Sequence, residues 1–130
     1  VQTSDAAGLV RFTTIHPGWY QGRAIHIHFK IRTESAGSPW EFTSQWYFDE
    51  ALNERILADP RYAKPGRRTT NATDGIFRNG GDQLLLAPAA SGAGYAAAFG
   101  IGLDLTDAAT GRADGAGAGG RRGRGGRRGG

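Results

Sequence analysis

The 130-residue sequence contains no cysteine. That excludes disulfides, thiolate metal sites and cysteine nucleophiles, and it leaves the redox compartment undecided. No apolar run approaches the roughly 20 residues of a membrane span, so no membrane partner is expected. No signal-peptide pattern is visible, and the chain opens on Val1, which is compatible with a segment upstream of it. The body also lacks an excess of charge. Residues 1–111 hold 10 Lys+Arg against 11 Asp+Glu, whereas residues 112–130 hold 6 Arg against one Asp. The net charge of +4 therefore belongs to the C-terminal segment, and the body gives no compositional reason to expect nucleic acid or an anionic surface as partner.

What is present reads as one domain, or a piece of one, built from strands with one short helix. Ser4, Asp5 and Gly8 supply turn chemistry for a hairpin ahead of a strand at 8–15, where Leu9 and Arg11 alternate with Val10 and Phe12. Pro17 to Gly22 reads as a loop. In "RAIHIHFKIR", residues 23–32, Ile25, Ile27, Phe29 and Ile31 share one face, and Ala24, His26, His28 and Lys30 the other. Residues 41–48 form a third strand, rich in aromatic and β-favouring side chains. Asp49 suits the N-cap of a helix through "EALNERILA", with Leu52 and Ile56 on one face and Arg55 within reach of Asp59. Pro60 stops that helix. Residues 60–82 read as a long polar loop. "DQLLLAP" and "GYAAAFGIGLDL" are further strands, the second small enough in its side chains to pack closely against a neighbour. Short strands with turn signals favour an all-β sandwich. Residues 112–130 contain nine glycines and no apolar side chain larger than alanine, the composition of a disordered Gly/Arg tail.

All three histidines lie in "TIHPGWYQGRAIHIHFK". Side chains two apart on a strand leave the same face, so His26 and His28 can converge on one metal, or simply decorate a solvent face or line a cavity. Tyr20, six residues earlier, sharpens the metal reading. A phenol in water titrates near 10. A hard trivalent cation favours its anionic oxygen, and mixed imidazole and phenolate donors suit ferric iron better than zinc or calcium.

The string "FTTIHPGWYQGRAIHIHFKI", with "FTSQWYFDEALNERI", "TTNATDGIF" and "GYAAAFGIGLDL", strongly resembles the intradiol ring-cleavage dioxygenases, relatives of catechol 1,2-dioxygenase and protocatechuate 3,4-dioxygenase. The resemblance spans about residues 3–105, and the PGWYxGRxxHIH pattern is highly specific. It implies a β-sandwich with a mononuclear, non-haem Fe(III) held by two Tyr and two His. It maps Tyr20, His26 and His28 onto three of these ligands, with Tyr20 as the one that substrate displaces and that then helps carry a proton away. It maps Arg23 onto a residue that stabilises negative charge on the activated ring, and Gln45 onto a glutamine of the same pocket. The implied substrates are a catechol-type compound and O2, the implied product a muconate-type dicarboxylate, and the implied role aromatic catabolism. Residues 1–111 would be the catalytic domain lacking its N-terminal part, with an open sandwich edge and the remaining tyrosine ligand upstream of Val1. Tyr47 and Tyr62 fall in segments that match non-ligand positions, Tyr95 opens a late strand, and none of the three matches the remaining ligand.

His16 stands where relatives often carry tyrosine, and it is left open between the mouth of the pocket and the surface. Trp19 and Trp46 read as packing, and Asn71 and Asp74 as turn structure, since both bond their own backbone readily. Two other classes remain in play: a non-catalytic β-sandwich binding module that has lost a ligand, and a polyanion-binding protein acting through the tail. The tail carries RG clusters without the aromatic residues that usually interleave them, so nucleic acid is expected only as a non-specific partner. A homodimer is compatible with the sequence. The resemblance favours a secreted protein over a cytoplasmic one.

Overall fold

A computed structural model describes residues 1–33 and 40–107. The expected tail at 112–130 and its boundary with the body lie outside these residues. The regular structure is mostly strand with one short helix: β1 His26–Thr33, β2 Trp40–Phe48, α1 Glu50–Leu57, β3 Leu85–Leu86, β4 Ala89–Ser91 and β5 Gly94–Ala96. β1, β2 and β3 form a three-stranded sheet in that order, and β4 and β5 form a two-stranded one. No helix among the described residues is long and apolar enough to cross a membrane.

The described residues divide into two compact units, one made of Val1–Ile27 and Trp46–Ala98, the other of residues 28–33, 40–45 and 99–107. In the first unit, β2 runs parallel to β3 through Tyr47↔Leu85 and Phe48↔Leu86. Parallel strands need a long crossover, and α1 with the 60–82 segment supplies it. Asp49 starts the helix by accepting the Ala51 N–H at 3.0 Å. Leu52 is buried and Ile56 packs against the same cluster, as their spacing predicts. Arg55 does not pair with Asp59. The next turn begins one residue after Asp59, and its Arg61 guanidinium takes both oxygens, at 3.0 and 2.6 Å. Ile25, Phe48 and Leu52 form the core cluster, with Trp19, Ile27, Ile56, Leu57 and Leu86 around it.

The 60–82 segment is a loop as expected, with three short 3-10 turns. It is tied to the Pro17–Gly22 loop at several points. Tyr62 donates to the His16 carbonyl at 2.7 Å, Lys64 Nζ donates to the Trp19 carbonyl at 2.7 Å, and the Gly22 N–H donates to Thr69 Oγ1 at 3.0 Å. Gly66 adopts φ 114°, and a Cβ there would approach the Trp19 ring to 3.1 Å. Trp19 is a packing residue, as its reading supposed.

Two expected strands are not formed as such. The Asp5 turn exists, with Asp5 Oδ1 accepting the Ala7 and Leu9 N–H groups at 2.9 Å each and Gly8 at φ 78°. Residues 9–15 beyond it join no ladder among the described residues, and Phe12 and Ile15 stay 62% and 78% exposed. Alternation alone does not make a strand when no partner supplies hydrogen bonds. Likewise, the strand expected over 94–105 is limited to Gly94–Ala96, which pairs with Ala89–Ser91 across a turn at Gly92. The alanines at 96–98 are exposed, and a Cβ added at Gly94, Gly100 or Gly102 would touch nothing. The small residues therefore mark no close packing among the described residues.

In the second unit, Glu41 pairs with Lys30 at 3.2 Å and with Arg32 at 2.8 Å. Phe42 packs against Phe29 and stacks near Trp40, and Trp40 Nε1 donates to the Asp107 carbonyl at 3.5 Å.

Candidate metal and substrate site

Tyr20, Arg23 and His26 come together at the entrance to β1. The turn at Gln21–Gly22, with Gly22 at φ 97°, folds the chain back so that Tyr20 and Arg23 form a β-bridge. The left-handed backbone at that position is available to glycine without steric cost. Tyr20 is 52% exposed, and its ring centroid lies 6.1 Å from that of His26.

His26 has a defined tautomer. Its Nδ1 lies 2.7 Å from the carbonyl oxygen of Ala24. A carbonyl only accepts, so Nδ1 carries a proton, and in the neutral ring the lone pair is on Nε2. Metal-ligating histidines are oriented in this way, through a bond from the second ring nitrogen to a carbonyl or carboxylate.

Arg23 is held on two sides. Its Nε donates to Asp74 Oδ2 at 3.0 Å, and its Nη2 donates to the Tyr47 hydroxyl at 3.3 Å. Burial works against the guanidinium charge, but the Asp74 carboxylate more than compensates and its pKa is raised. Tyr47 is buried, which raises its phenol pKa against the opposing pull of Arg23. It is a neutral hydroxyl at neutral pH, packed edge-on against Phe77 with centroids 4.9 Å apart.

Asp74 is only 1% exposed. The turn reading of this residue is correct for one oxygen: Oδ1 accepts the Ile76 and Phe77 N–H groups at 2.7 and 3.2 Å. The other oxygen accepts Arg23 Nε and, at 2.7 Å, the Ala24 N–H. Burial alone would push its pKa up. The bonds from Ala24, Arg23, Ile76 and Phe77 outweigh that, and the carboxyl sits below its ordinary range. Asn71 anchors the same loop, donating from Nδ2 to the Phe48 carbonyl at 2.9 Å.

His28 and Gln45 belong to the second unit, His28 exposed on β1 and Gln45 half-buried on β2. His16 is half-buried. Its Nε2 meets Asn53 Oδ1 at 3.1 Å, and its ring lies 4.7 Å from Phe48. Burial lowers its pKa, more than the bond to Asn53 raises it. Trp46, read as packing, is half-buried on β2.

Two residues of the cluster were not legible as such. Tyr47 reads from sequence as one more aromatic on an apolar strand, and Asp74 as an Asx turn. Their partner Arg23 is 24 and 51 residues away, and no local pattern encodes such a pairing.

Among the described residues, no group of three or more His, Cys, Asp or Glu is arranged to hold a metal ion. A cleft of about 500 Å³ lined by Leu52, Arg55, Leu86, Pro88 and Tyr95 includes none of Tyr20, Arg23 or His26. Comparison with protein-family models, with curated proteins and with solved structures found no match.

Proposed function

We propose that this chain is the C-terminal part of the catalytic domain of an Fe(III)-dependent intradiol ring-cleavage dioxygenase with the β-sandwich fold of that family, an enzyme that opens catechol-type rings with O2 to muconate-type dicarboxylates. The observation that carries the reading is the string from Pro17 to His28, in which the tautomer of His26 presents Nε2 for ligation and Arg23 is pinned beside it. Tyr20, His26 and His28 would hold the iron, which when bound supplies the Lewis acidity that draws electron density from a catecholate and makes its ring reactive toward O2.

The chain's own residues do the rest. Arg23 provides a fixed positive charge where anionic character develops on the ring, and it needs no reorganisation because Asp74 and Tyr47 already hold it. Tyr20, exposed at the loop tip, would as the displaced tyrosinate take up a proton that the substrate hydroxyl loses and become a neutral phenol. Ala24 keeps the His26 proton on Nδ1. Gln45 orients the substrate by hydrogen bonding.

The test is to load with Fe(III) a chain extended upstream of Val1 to include the remaining tyrosine ligand that the resemblance implies, and to follow catechol by absorbance and product analysis; the chain from Val1 alone should hold iron weakly and turn over catechol poorly. The expected result is a reddish protein, from tyrosinate-to-iron charge transfer, that forms a ring-opened dicarboxylate. Tyr20→Phe should weaken that colour and slow turnover together. Colourless protein with stoichiometric iron would refute the tyrosinate assignment, and zinc as the only metal bound would refute the mechanism. Stoichiometric iron and bound catechol without ring opening would favour the non-catalytic binding module.

A further inference from the structure

We propose that Asp74 is the positioning residue of this site, a single buried carboxylate that sets both the Arg23 guanidinium and, through the Ala24 N–H, the residue whose carbonyl orients His26. The inference rests on the reading of Arg23 as the charge-stabilising group.

Asp74 Oδ2 accepts two N–H groups from adjacent residues, Arg23 Nε at 3.0 Å and the Ala24 backbone at 2.7 Å. The carbonyl of that same Ala24 accepts the His26 Nδ1 proton at 2.7 Å. A continuous path of three hydrogen bonds thus joins the arginine, the carboxylate, the Ala24 residue and the imidazole. Oδ1 is taken by Ile76 and Phe77 N–H groups, which fixes the carboxylate itself. Phe77 in turn packs on Tyr47, the second acceptor for Arg23. An arginine side chain has four rotatable torsions and would otherwise sample many rotamers. Bonds at Nε and Nη2 to two buried partners leave its plane one orientation, and a charge fixed before reaction is the form that stabilises a transition state. Asp74 touches neither Tyr20 nor His26 in any hydrogen bond, so its effect is exerted through Arg23 and Ala24.

Asp74→Asn is the discriminating change. Its side-chain oxygen can still accept the Ile76 and Phe77 N–H groups, while its amide N–H groups oppose Arg23 Nε–H and Ala24 N–H. In Fe(III)-loaded protein extended upstream of Val1, with catechol, kcat should fall roughly 10–100-fold, the usual cost of losing a partner that orients a functional residue, with KM changed much less. In an Arg23→Ala background the same change should cost clearly less than in the wild type, because one of its two targets is gone. Asp74→Glu should recover part of kcat. A folded Asp74→Asn protein with wild-type kcat, or losses that multiply in the double variant, would overturn the proposal.

A second measurement needs no variant and no turnover. In the metal-free, ¹⁵N-labelled chain, the Arg23 Nε–H resonance should be resolved and protected from solvent exchange at neutral pH. Rapid exchange there would overturn the pairing even in an active enzyme. A protected Nε–H in a chain that loads iron but opens no ring would overturn the dioxygenase reading, and the positioning role with it, while leaving the Asp74–Arg23 pair standing.

Discussion

His16 shows how a single residue's role depends on what covers it. In sequence it is one more histidine beside a proline. In the fold it is wedged between Phe48, Tyr62 and Asn53, and burial depresses its pKa. The unfolded chain then binds a proton more readily than the folded one below the ordinary histidine pKa of about 6.5. Stability from neutral His16 is fully present above that pH and is lost as pH falls from there toward the lower folded value. Chemical denaturation of wild type and His16→Gln at pH 7.5 and pH 5 checks this. The wild type should lose more stability on acidification than the variant; equal losses would contradict it. Asp74 makes the complementary point. Its turn role was legible in "TDG", but its hold on Arg23 was not, because a pairing across 51 residues has no sequence period.

At the scale of elements, α1 was the most legible, since capping, amphipathic spacing and termination are all encoded within a dozen residues. The Asp49 side chain accepts one of the N–H groups that a helix start leaves without an intrahelical partner. Asp49→Ala should therefore destabilise the protein by about 1 kcal/mol, read as a lower denaturation midpoint with an unchanged slope. Asp49→Ser should restore most of it. An unchanged midpoint in the alanine variant would mean that packing of Leu52 alone secures the helix. The strands were less legible at their limits. β1 and β2 were found within a few residues of where alternation placed them, whereas 9–15 and 97–105 have the pattern and no ladder among the described residues. A strand is completed by a neighbour's hydrogen bonds, and periodicity reports only one side of that partnership.

For the whole molecule, charge is the property that separates body from tail. With 6 Arg against one Asp in residues 112–130 and a nearly balanced body, removal of that segment should sharply weaken binding to heparin. The intact chain's affinity should fall steeply with salt, and the truncated chain's much less. Catechol turnover should be the same in both, since the residues assigned to the chemistry all lie before Gly111. A large loss of turnover on truncation would place the tail in the site.

The sequence by itself determined the strand-rich class, the helix and its cap, the loop that carries Tyr20, and a His-x-His pair on a strand. Each of these follows from local spacing, where neighbours in the chain are neighbours in space. The tertiary structure decided what those residues are set against. It bonded Arg23 to Asp74 and Tyr47, turned the Ala24 carbonyl to His26 and set a half-buried His16 against Asn53. Such partners are chosen by chain reversal at Gly22 and by packing of the 60–82 segment on the Pro17–Gly22 loop. The free energy of those contacts depends on distance in space, which the order of residues does not state.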